Sequence, residues 1–277
     1  MSQFQFALNT STIRPASLKE KIRIAREAGY DAVELWNDEL TAFEQEGGTL
    51  AEVRRMLEDA GLGVATVVHI AGWLDAPDGE PYRQALDEAR RRMDQAAAIG
   101  AARIIAGPPR GKADYERCAA RYAQLLAIGR EHGVLPALEF LGFVEEVNNI
   151  RALWRIVSAV DDPDKSVVMD SFHIFRGGSA LDDLALVPAE MIAVFHINDA
   201  PAGIPREQQQ DKDRVMPGDG ILPLEEIVRR LAQKGYRGAL SLELFNAALW
   251  EKEPLEVARE GLERLRAIVA AGLGQSG

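Results

Sequence analysis

The sequence predicts an α/β fold, a (β/α)8 TIM barrel that spans residues 1–277 as a single domain. Short apolar runs rich in β-branched residues alternate with longer stretches of helical period, as in successive βα units. The length of 277 residues is close to the ~250 residues typical of this barrel, and a hydrophobic content of 47% provides for a large core. Eight strand candidates correspond to about 35 residues per unit, which suits a closed barrel.

The strand candidates recur along the whole chain. They are FQFALNTS (4–11), DAVELWN (31–37), GVATVVH (63–69), ARIIAGP (102–108), LPALEFLG (135–142), SVVMDSFH (166–173), IAVFHIND (192–199) and ALSLELF (239–245). Several follow a helix that ends in glycine, as in AREAGYDAVEL and REHGVLPALEF, which is typical of a helix leading into the next strand. An open, doubly wound sheet is the alternative, but the turn after the first strand, NTSTIRPASL, contains neither G-x-G-x-x-G nor G-x-x-x-x-G-K. Dinucleotide and P-loop sites are therefore not predicted.

Charge and composition argue against nucleic-acid and membrane partners. The formal net charge is −11, so a phosphate backbone is repelled, and the basic run at 90–92 has acidic neighbours on both sides in a helical stretch. No apolar run approaches the ~20 residues that span a bilayer, and MSQFQFALNT lacks the order of a secretory signal. We expect a cytoplasmic protein, in which the single cysteine, Cys118, is a small packed residue.

Four strand candidates end in a residue that can bind a metal. These residues are Glu139, Asp170, His196 and Glu243, each at the close of an apolar run. Because the carboxyl ends of the strands face the active site in this fold, the four side chains are expected to converge there. Three buried acids would repel one another without a cation. Oxygen and imidazole ligands without a thiolate predict one divalent metal ion, Mn2+, Mg2+, Co2+ or Zn2+.

The histidines support a shared site. His132 lies at a helix end, where an interaction with the helix dipole is the expected role. His69, His173 and His196 each end a predicted strand. A lone histidine there could be a core residue, but three at equivalent positions indicate a common site.

The wall of the site is predicted from residues that follow or end the strands. The candidates are Glu34, Trp36, His69, Trp73, Phe143 and Arg214, although the two tryptophans could equally be packing aromatics. The long polar connection at 202–220 is typical of a lid or binding loop. Its PGDG segment could present backbone N–H groups to a phosphate, but the acids at 219, 225 and 226 oppose a dianion. An uncharged polyol or a carboxylate-bearing ring is therefore favoured over a sugar phosphate, and a simple turn that starts a helix is the alternative for PGDG.

The segments ALEF, VVMDSFHIF, FHINDA, DKDRVMPGDG and LSLELF resemble the blocks of the xylose isomerase-like TIM barrel superfamily. This superfamily contains sugar phosphate isomerases and epimerases, and the segments are most similar to its 2-keto-myo-inositol isomerase group. The resemblance implies that Glu139, Asp170, His196 and Glu243 bind one divalent metal ion. It also implies that Glu145 and His173 meet the hydroxyl groups of the substrate.

The predicted chemistry is isomerisation or epimerisation of a keto-polyol or keto-sugar, such as a keto-inositol. A metal chelated by a ketone oxygen and its neighbouring hydroxyl acidifies the intervening C–H and stabilises the enediolate. Glu139 and Glu243, from opposite sides of the site, are the predicted catalytic base and acid. His69, Arg214 and Trp36 complete the predicted substrate-binding residues.

Three other functions compete with this one. A dehydratase of the 3-dehydroshikimate type begins with the same proton abstraction but ends with loss of water. An endonuclease IV-like nuclease needs three zinc ions, and although His69, His173 and Asp213 match outer ligands, AGPPRG lacks a histidine and Val215 replaces another. A noncatalytic binding protein is the third, since fold alone does not imply activity.

The fold also allows a homodimer, although nothing in the sequence identifies a contact surface.

Overall fold

Eight parallel strands close into a barrel in the computed structural model, which describes residues 4–274. The strand order follows the chain, and β8 pairs with β1 to complete the closure. The strands are β1 (Gln5–Asn9), β2 (Ala32–Trp36), β3 (Gly63–Ile70), β4 (Arg103–Ala106), β5 (Leu135–Glu139), β6 (Ser166–Asp170), β7 (Ile192–Ile197) and β8 (Ala239–Leu242). Each lies within its predicted candidate, except that β3 runs one residue further. The predicted (β/α)8 barrel is confirmed.

The helices form the outer layer of the barrel. They are α1 (Leu18–Ala28), α2 (Asn37–Gln45), α3 (Leu50–Ala60), α4 (Glu80–Ala98), α5 (Tyr115–His132), α6 (Ile150–Ser158), α7 (Ser171–Arg176), α8 (Leu224–Lys234), α9 (Ala247–Trp250) and α10 (Pro254–Gly272). A capping box of Ser17 and Glu20 starts α1, and Gly29 ends it with a φ of 94°, a conformation that favours glycine. Within the described range, no helix is long and apolar enough to cross a membrane.

The core has two layers, because alternate residues of each strand face opposite sides of the sheet. The interior of the barrel is filled mainly by small residues, namely Ala7, Ala32, Val68, Ile105, Ala137, Val168, Val194 and Ala239. Larger residues such as Leu8, Leu35 and Phe195 point outward and pack beneath the helices. Because these interior side chains are small, the barrel has room at one end for polar side chains.

The expectation that His173 ends a strand is wrong. Strand β6 ends at Asp170, and His173 lies in the short helix α7. The reason is local: Oδ1 of Asp170 accepts a hydrogen bond from the backbone N–H of His173 at 3.0 Å, which starts the helix. His173 still faces the mouth of the barrel, one helical turn beyond the strand end.

Candidate metal and substrate site

Strand alternation builds the floor of the site. On β5, β6 and β7 a small residue lies deep in the barrel, and the next inward position holds Glu139, Asp170 or His196. On β8 the alternation continues through Ser241 to Glu243, the first residue after the strand. The four predicted ligands are therefore inward-facing neighbours at the carboxyl end of four consecutive strands.

The four side chains converge around one nitrogen atom. Nδ1 of His196 lies 3.1 Å from Oε2 of Glu243, 3.6 Å from Oε1 of Glu139 and 3.6 Å from Oδ2 of Asp170. One ligand atom from each of Glu139, Asp170 and His196 lies within 4.8 Å of the others. All four residues are buried. Glu139, Asp170 and His196 form a group that can hold a metal ion, with a third carboxylate, that of Glu243, beside it.

Two atoms of this cluster are buried without a hydrogen-bond partner. Among the residues that the structure describes, Nδ1 of His196 and Oε1 of Glu139 make no hydrogen bond. Unsatisfied buried polar atoms are destabilising, so each needs an explanation. A divalent cation bound between them would satisfy both, and three carboxylates with one imidazole are ligands that such ions accept. The residues present therefore fit a divalent metal.

The charges in the cluster perturb one another. Burial raises the pKa of Glu139 to about 7, and the neighbouring carboxylates add to the effect. Burial opposes ionisation of Asp170 too, but Arg214 holds the pKa of Asp170 well below its ordinary value. The pKa of His196 is well above its ordinary value because Glu243 and the other nearby carboxylates outweigh burial. Positive charge on His196 and Arg214 thus balances part of the negative charge.

Arg214 is held inside the site by the long loop after β7. Its Nη1 atom donates to Oδ2 of Asp170 at 2.8 Å and to Oε2 of Glu243 at 2.7 Å. Its Nη2 atom lies 3.0 Å from Nε2 of His173 and donates to Asp211 at 2.5 Å. The side chain is 1% exposed. The predicted binding loop therefore contributes a buried cation that contacts two of the candidate ligands.

A cavity of about 220 Å3 lies above the cluster. Its lining includes most of the residues predicted to bind substrate or catalyse the reaction, namely Trp36, His69, Glu139, His173, Arg214 and Glu243. Burial lowers the pKa of His69, so its imidazole is neutral at physiological pH, and its ring packs edge-on against Trp36 at 5.6 Å. The cavity thus combines acidic, basic and aromatic walls.

Three other predicted residues do not line the cavity: Glu34, which is fully buried on β2, Trp73 and Glu145. Trp73 is fully buried and donates from Nε1 to the carbonyl of Gly107 at 3.0 Å, so it is a packing residue and not part of the wall. Glu145 is exposed and does not line the cavity. The backbone N–H of Glu145 donates to the carbonyl of Arg110 at 3.1 Å, near the cavity mouth.

Backbone N–H groups in and just after the PGDG segment donate hydrogen bonds to the side chain of Asp199. Oδ2 of Asp199 accepts from the backbone N–H of Gly218 at 3.0 Å, and Oδ1 accepts from that of Leu222 at 2.9 Å. These N–H groups are among those that could have bound a phosphate. The loop therefore acts as a turn stabilised from within, which agrees with the alternative given above.

Several residues of the site were missed or were assigned no role. Asn9 ends β1, where its Nδ2 donates to Oε1 of Glu243 at 2.9 Å and its Oδ1 accepts from Nε1 of Trp36 at 2.8 Å. The rule of inspecting strand ends, applied to the first strand, would have found it. Arg110 and Phe245 also line the cavity. Both lie in loops beyond a strand end, where no local pattern distinguishes them from other loop residues.

Comparison with known proteins gives relatives of one fold and several activities. A family model described as "Xylose isomerase-like TIM barrel" matches residues 22–268. An inosose isomerase of Bacillus velezensis is 27% identical over 270 residues, which is 94% of this chain and 95% of that protein. A 3-dehydroshikimate dehydratase of Pseudomonas putida is 25% identical over 90% of this chain but only 39% of its own length. The crystal structure of the IolI protein with a bound zinc atom superposes with a TM-score of 0.88 at 21% identity, covering 96% of this chain and 98% of that one.

Proposed function

The chain belongs to the xylose isomerase-like TIM barrel family, and from that premise we propose that it is a divalent-metal-dependent isomerase or epimerase acting on a keto-polyol, such as a keto-inositol. The observation that carries the proposal is the cluster of Glu139, Asp170, His196 and Glu243 beneath the cavity, with two buried atoms lacking partners. The inosose isomerase relative, matched over nearly the whole length of both chains, supports the substrate class.

We assign Glu139, Asp170, His196 and Glu243 as the residues that hold the metal. A divalent cation bound there would polarise a ketone oxygen and the neighbouring hydroxyl, and so would acidify the C–H bond between them. Mn2+, Mg2+, Co2+ and Zn2+ all accept this ligand set.

Glu139 and Glu243 are the proposed proton carriers. Both line the cavity, one at the end of β5 and the other just beyond β8. Two strands, β6 and β7, lie between them, so a bound ring would meet the two carboxylates from different directions. In an isomerisation, one would remove the proton from the hydroxyl-bearing carbon beside the ketone and the other would return a proton to the former carbonyl carbon, while the hydroxyl proton moves to the former ketone oxygen. In an epimerisation, the proton would return to the opposite face of the same carbon. Asn9 donates to Oε1 of Glu243, which leaves Oε2 facing the site.

Arg214, His173 and His69 are the proposed hydroxyl-binding groups. Each lines the cavity, and the neutral imidazole of His69 can either donate or accept a hydrogen bond. Trp36 and Phe245 supply apolar surface, with their rings edge to face at 5.8 Å, on which the C–H faces of a polyol ring can pack. Glu145 remains a proposed contact only for a substrate that extends past the cavity mouth.

Proton exchange in D2O tests the proposal directly. The metal-reconstituted protein is incubated with cyclic keto-polyols, 3-dehydroshikimate and free ketoses, and the products are followed by NMR. We expect deuterium beside the carbonyl of a keto-polyol together with an isomeric product. Glu243→Gln should slow the exchange by roughly 10²–10⁴-fold, whereas the exposed Glu225→Gln on α8 should match the wild type. Bound metal without exchange into any of these compounds would contradict the proposal.

A specific observation supports a dehydratase of the 3-dehydroshikimate type as a second candidate. Arg110 lines the cavity, and within residues 4–274 its guanidinium makes no hydrogen bond or ion pair. A free cation at the mouth of an acidic pocket is suited to a carboxylate on the substrate ring. The dehydratase relative of Pseudomonas putida agrees with this possibility.

The variant Arg110→Gln separates the two candidates. For a dehydratase, it should raise the KM for 3-dehydroshikimate by on the order of tenfold to a hundredfold, because a charge-assisted hydrogen bond is lost. For an isomerase of neutral polyols, it should change the KM less than about twofold. Arg83→Gln, which removes an exposed partner of Glu80 on α4, is the control for a general effect of charge. An aromatic product from 3-dehydroshikimate would establish the dehydratase.

A further inference from the structure

Glu34 is a fully buried carboxylate beside the proposed metal ligands that is not itself one of them. It lies on the inward face of β2, and its oxygens contact four polar groups. These are Oγ1 of Thr66, Oγ of Ser241, Nδ2 of Asn9 at 3.4 Å and Nε2 of His196 at 3.2 Å. Among the described residues, His196 is its only ion-pair partner. A fully buried charge destabilises the fold unless hydrogen bonds or an opposite charge compensate for its loss of hydration.

The surroundings of Glu34 are suited to a carboxylate and not to an amide. An ionised carboxylate only accepts hydrogen bonds, and the Thr66 and Ser241 hydroxyls both donate to it. The amide of Asn9 donates to the same carboxylate. The oxygen of Glu34 that faces His196 can likewise only accept a hydrogen bond. The facing ring nitrogen, Nε2 of His196, must therefore carry the proton and donate it.

We infer that Glu34 is a positioning residue that keeps a proton on Nε2 of His196 and so leaves Nδ1 free to bind the divalent cation. Nδ1 is the ring atom that faces the three carboxylates of the site and has no hydrogen-bond partner among the described residues. The inference rests on the proposed function, because it assigns His196 as a metal ligand. The contact crosses the barrel interior from β2 to β7, between residues 162 positions apart.

The physical reason is that a neutral imidazole has one proton and two nitrogens. If the proton moved to Nδ1, an N–H would point at the cation and the ligand would be lost. A carboxylate on the opposite nitrogen prevents this, fixes the ring orientation and makes the ligating nitrogen more basic. Thr66 and Ser241 hold that carboxylate in place from β3 and β8, so the orientation of the ligand depends on residues that do not contact the metal.

Metal affinity in Glu34→Gln tests the inference. The amide keeps the shape of the side chain, but an NH2 group facing His196 favours the proton on the wrong nitrogen. We expect the affinity for Zn2+, measured by competition with a chromophoric chelator, to fall by about 10–100-fold. Asp31→Asn is the matched control, because Asp31 is an exposed carboxylate just before β2, and it should change the affinity less than about twofold. Unchanged Zn2+ affinity in folded Glu34→Gln would overturn the inference.

A second measurement needs no variant. In the Zn2+-loaded wild type with 15N-labelled histidine, NMR should show the proton of His196 on Nε2 and none on Nδ1. A proton on Nδ1 with the metal on Nε2 would overturn the inference even if Glu34→Gln failed to fold. Failure of the wild type to bind Zn2+, Mn2+, Mg2+ or Co2+ would refute the proposed metal site and this inference together. Normal binding by the wild type with equal binding by Glu34→Gln refutes this inference alone.

Discussion

Replacing Arg214 with methionine should destabilise the metal-free protein by about 3–5 kcal/mol, the range measured when one partner of a buried ion pair is removed. The guanidinium is 1% exposed and donates to Asp170 at 2.8 Å and to Glu243 at 2.7 Å. Methionine is unbranched like the stem of arginine, but it lacks the guanidinium, whose carbon lies 5.0 Å from the ring centroid of Phe172 and 5.2 Å from that of Phe245. What it removes is the positive charge of the guanidinium, which leaves the buried carboxylates of Asp170 and Glu243 to be balanced by His196.

The loss should be readable in the thermal unfolding midpoint. At 2–4 °C per kcal/mol for a chain near this size, the midpoint of metal-free Arg214→Met should lie about 6–20 °C below that of the wild type. A divalent cation compensates the same carboxylates, so saturating Mn2+ should raise the midpoint of the variant more than that of the wild type.

The control is Arg54→Met, which breaks an exposed pair with Glu58 on α3 and should cost less than about 1 kcal/mol. A metal-free Arg214→Met protein as stable as the wild type would refute the reasoning. So would an equal stabilisation of both proteins by Mn2+, since the guanidinium and the metal would then not share the same carboxylates.

Three further outcomes are expected. Removal of bound metal with EDTA should lower the unfolding midpoint, and Mn2+ should restore it; no shift in either direction would favour a noncatalytic protein without a metal site. Arg121→Met should lower the free energy of unfolding by on the order of 2 kcal/mol and speed proteolysis near residues 71–79, because the buried guanidinium donates to the carbonyls of residues 73, 74 and 76. The control is Arg117→Met, which changes an exposed residue of the same helix. Equal proteolysis of the two variants would contradict the expectation. Burial raises the pKa of Cys118 to about 11, so only about one thiol in a thousand is ionised at pH 8. A disulfide reagent should therefore label Cys118 only when the protein unfolds. Rapid labelling of the native protein would show that the thiol is accessible.

The barrel and its candidate ligands were predictable because their signal is local. In these strands, large residues that point outward alternate with small residues that point inward, so the last inward residue lies at the mouth of the barrel. Asp170 thus follows the inward Val168 by two positions, and His196 follows the inward Val194 by two positions. This period of two is visible in a few consecutive residues. The end of β6 was less predictable, because nothing in VVMDSFH marks the point at which the side chain of Asp170 caps a helix and ends the strand.

Residues in loops were harder to assign, since a loop has no period that links sequence to direction. Trp36 and Trp73 were equivalent candidates for the wall, yet Trp36, which ends β2, lines the cavity, whereas Trp73, in the loop after β3, is buried against Gly107. Arg110 was given no role, because its position depends on the path of the chain after β4. Glu145 matched a family pattern, but the structure places it outside the cavity.

The sequence by itself determined the number and order of the strands and placed Glu139, Asp170, His196 and Glu243 near the ends of four of them, because each pattern depends on neighbours within one element. Only the tertiary structure decided that Glu34 meets His196 across the barrel and that Arg214 reaches into the cluster from a loop. It also decided that Asp199 fills the PGDG turn. Closing the sheet brings Glu34 and His196, 162 positions apart, within hydrogen-bond distance. The path of the loop after β7 decides the contacts of Arg214 and Asp199, and no pattern within one element encodes either arrangement.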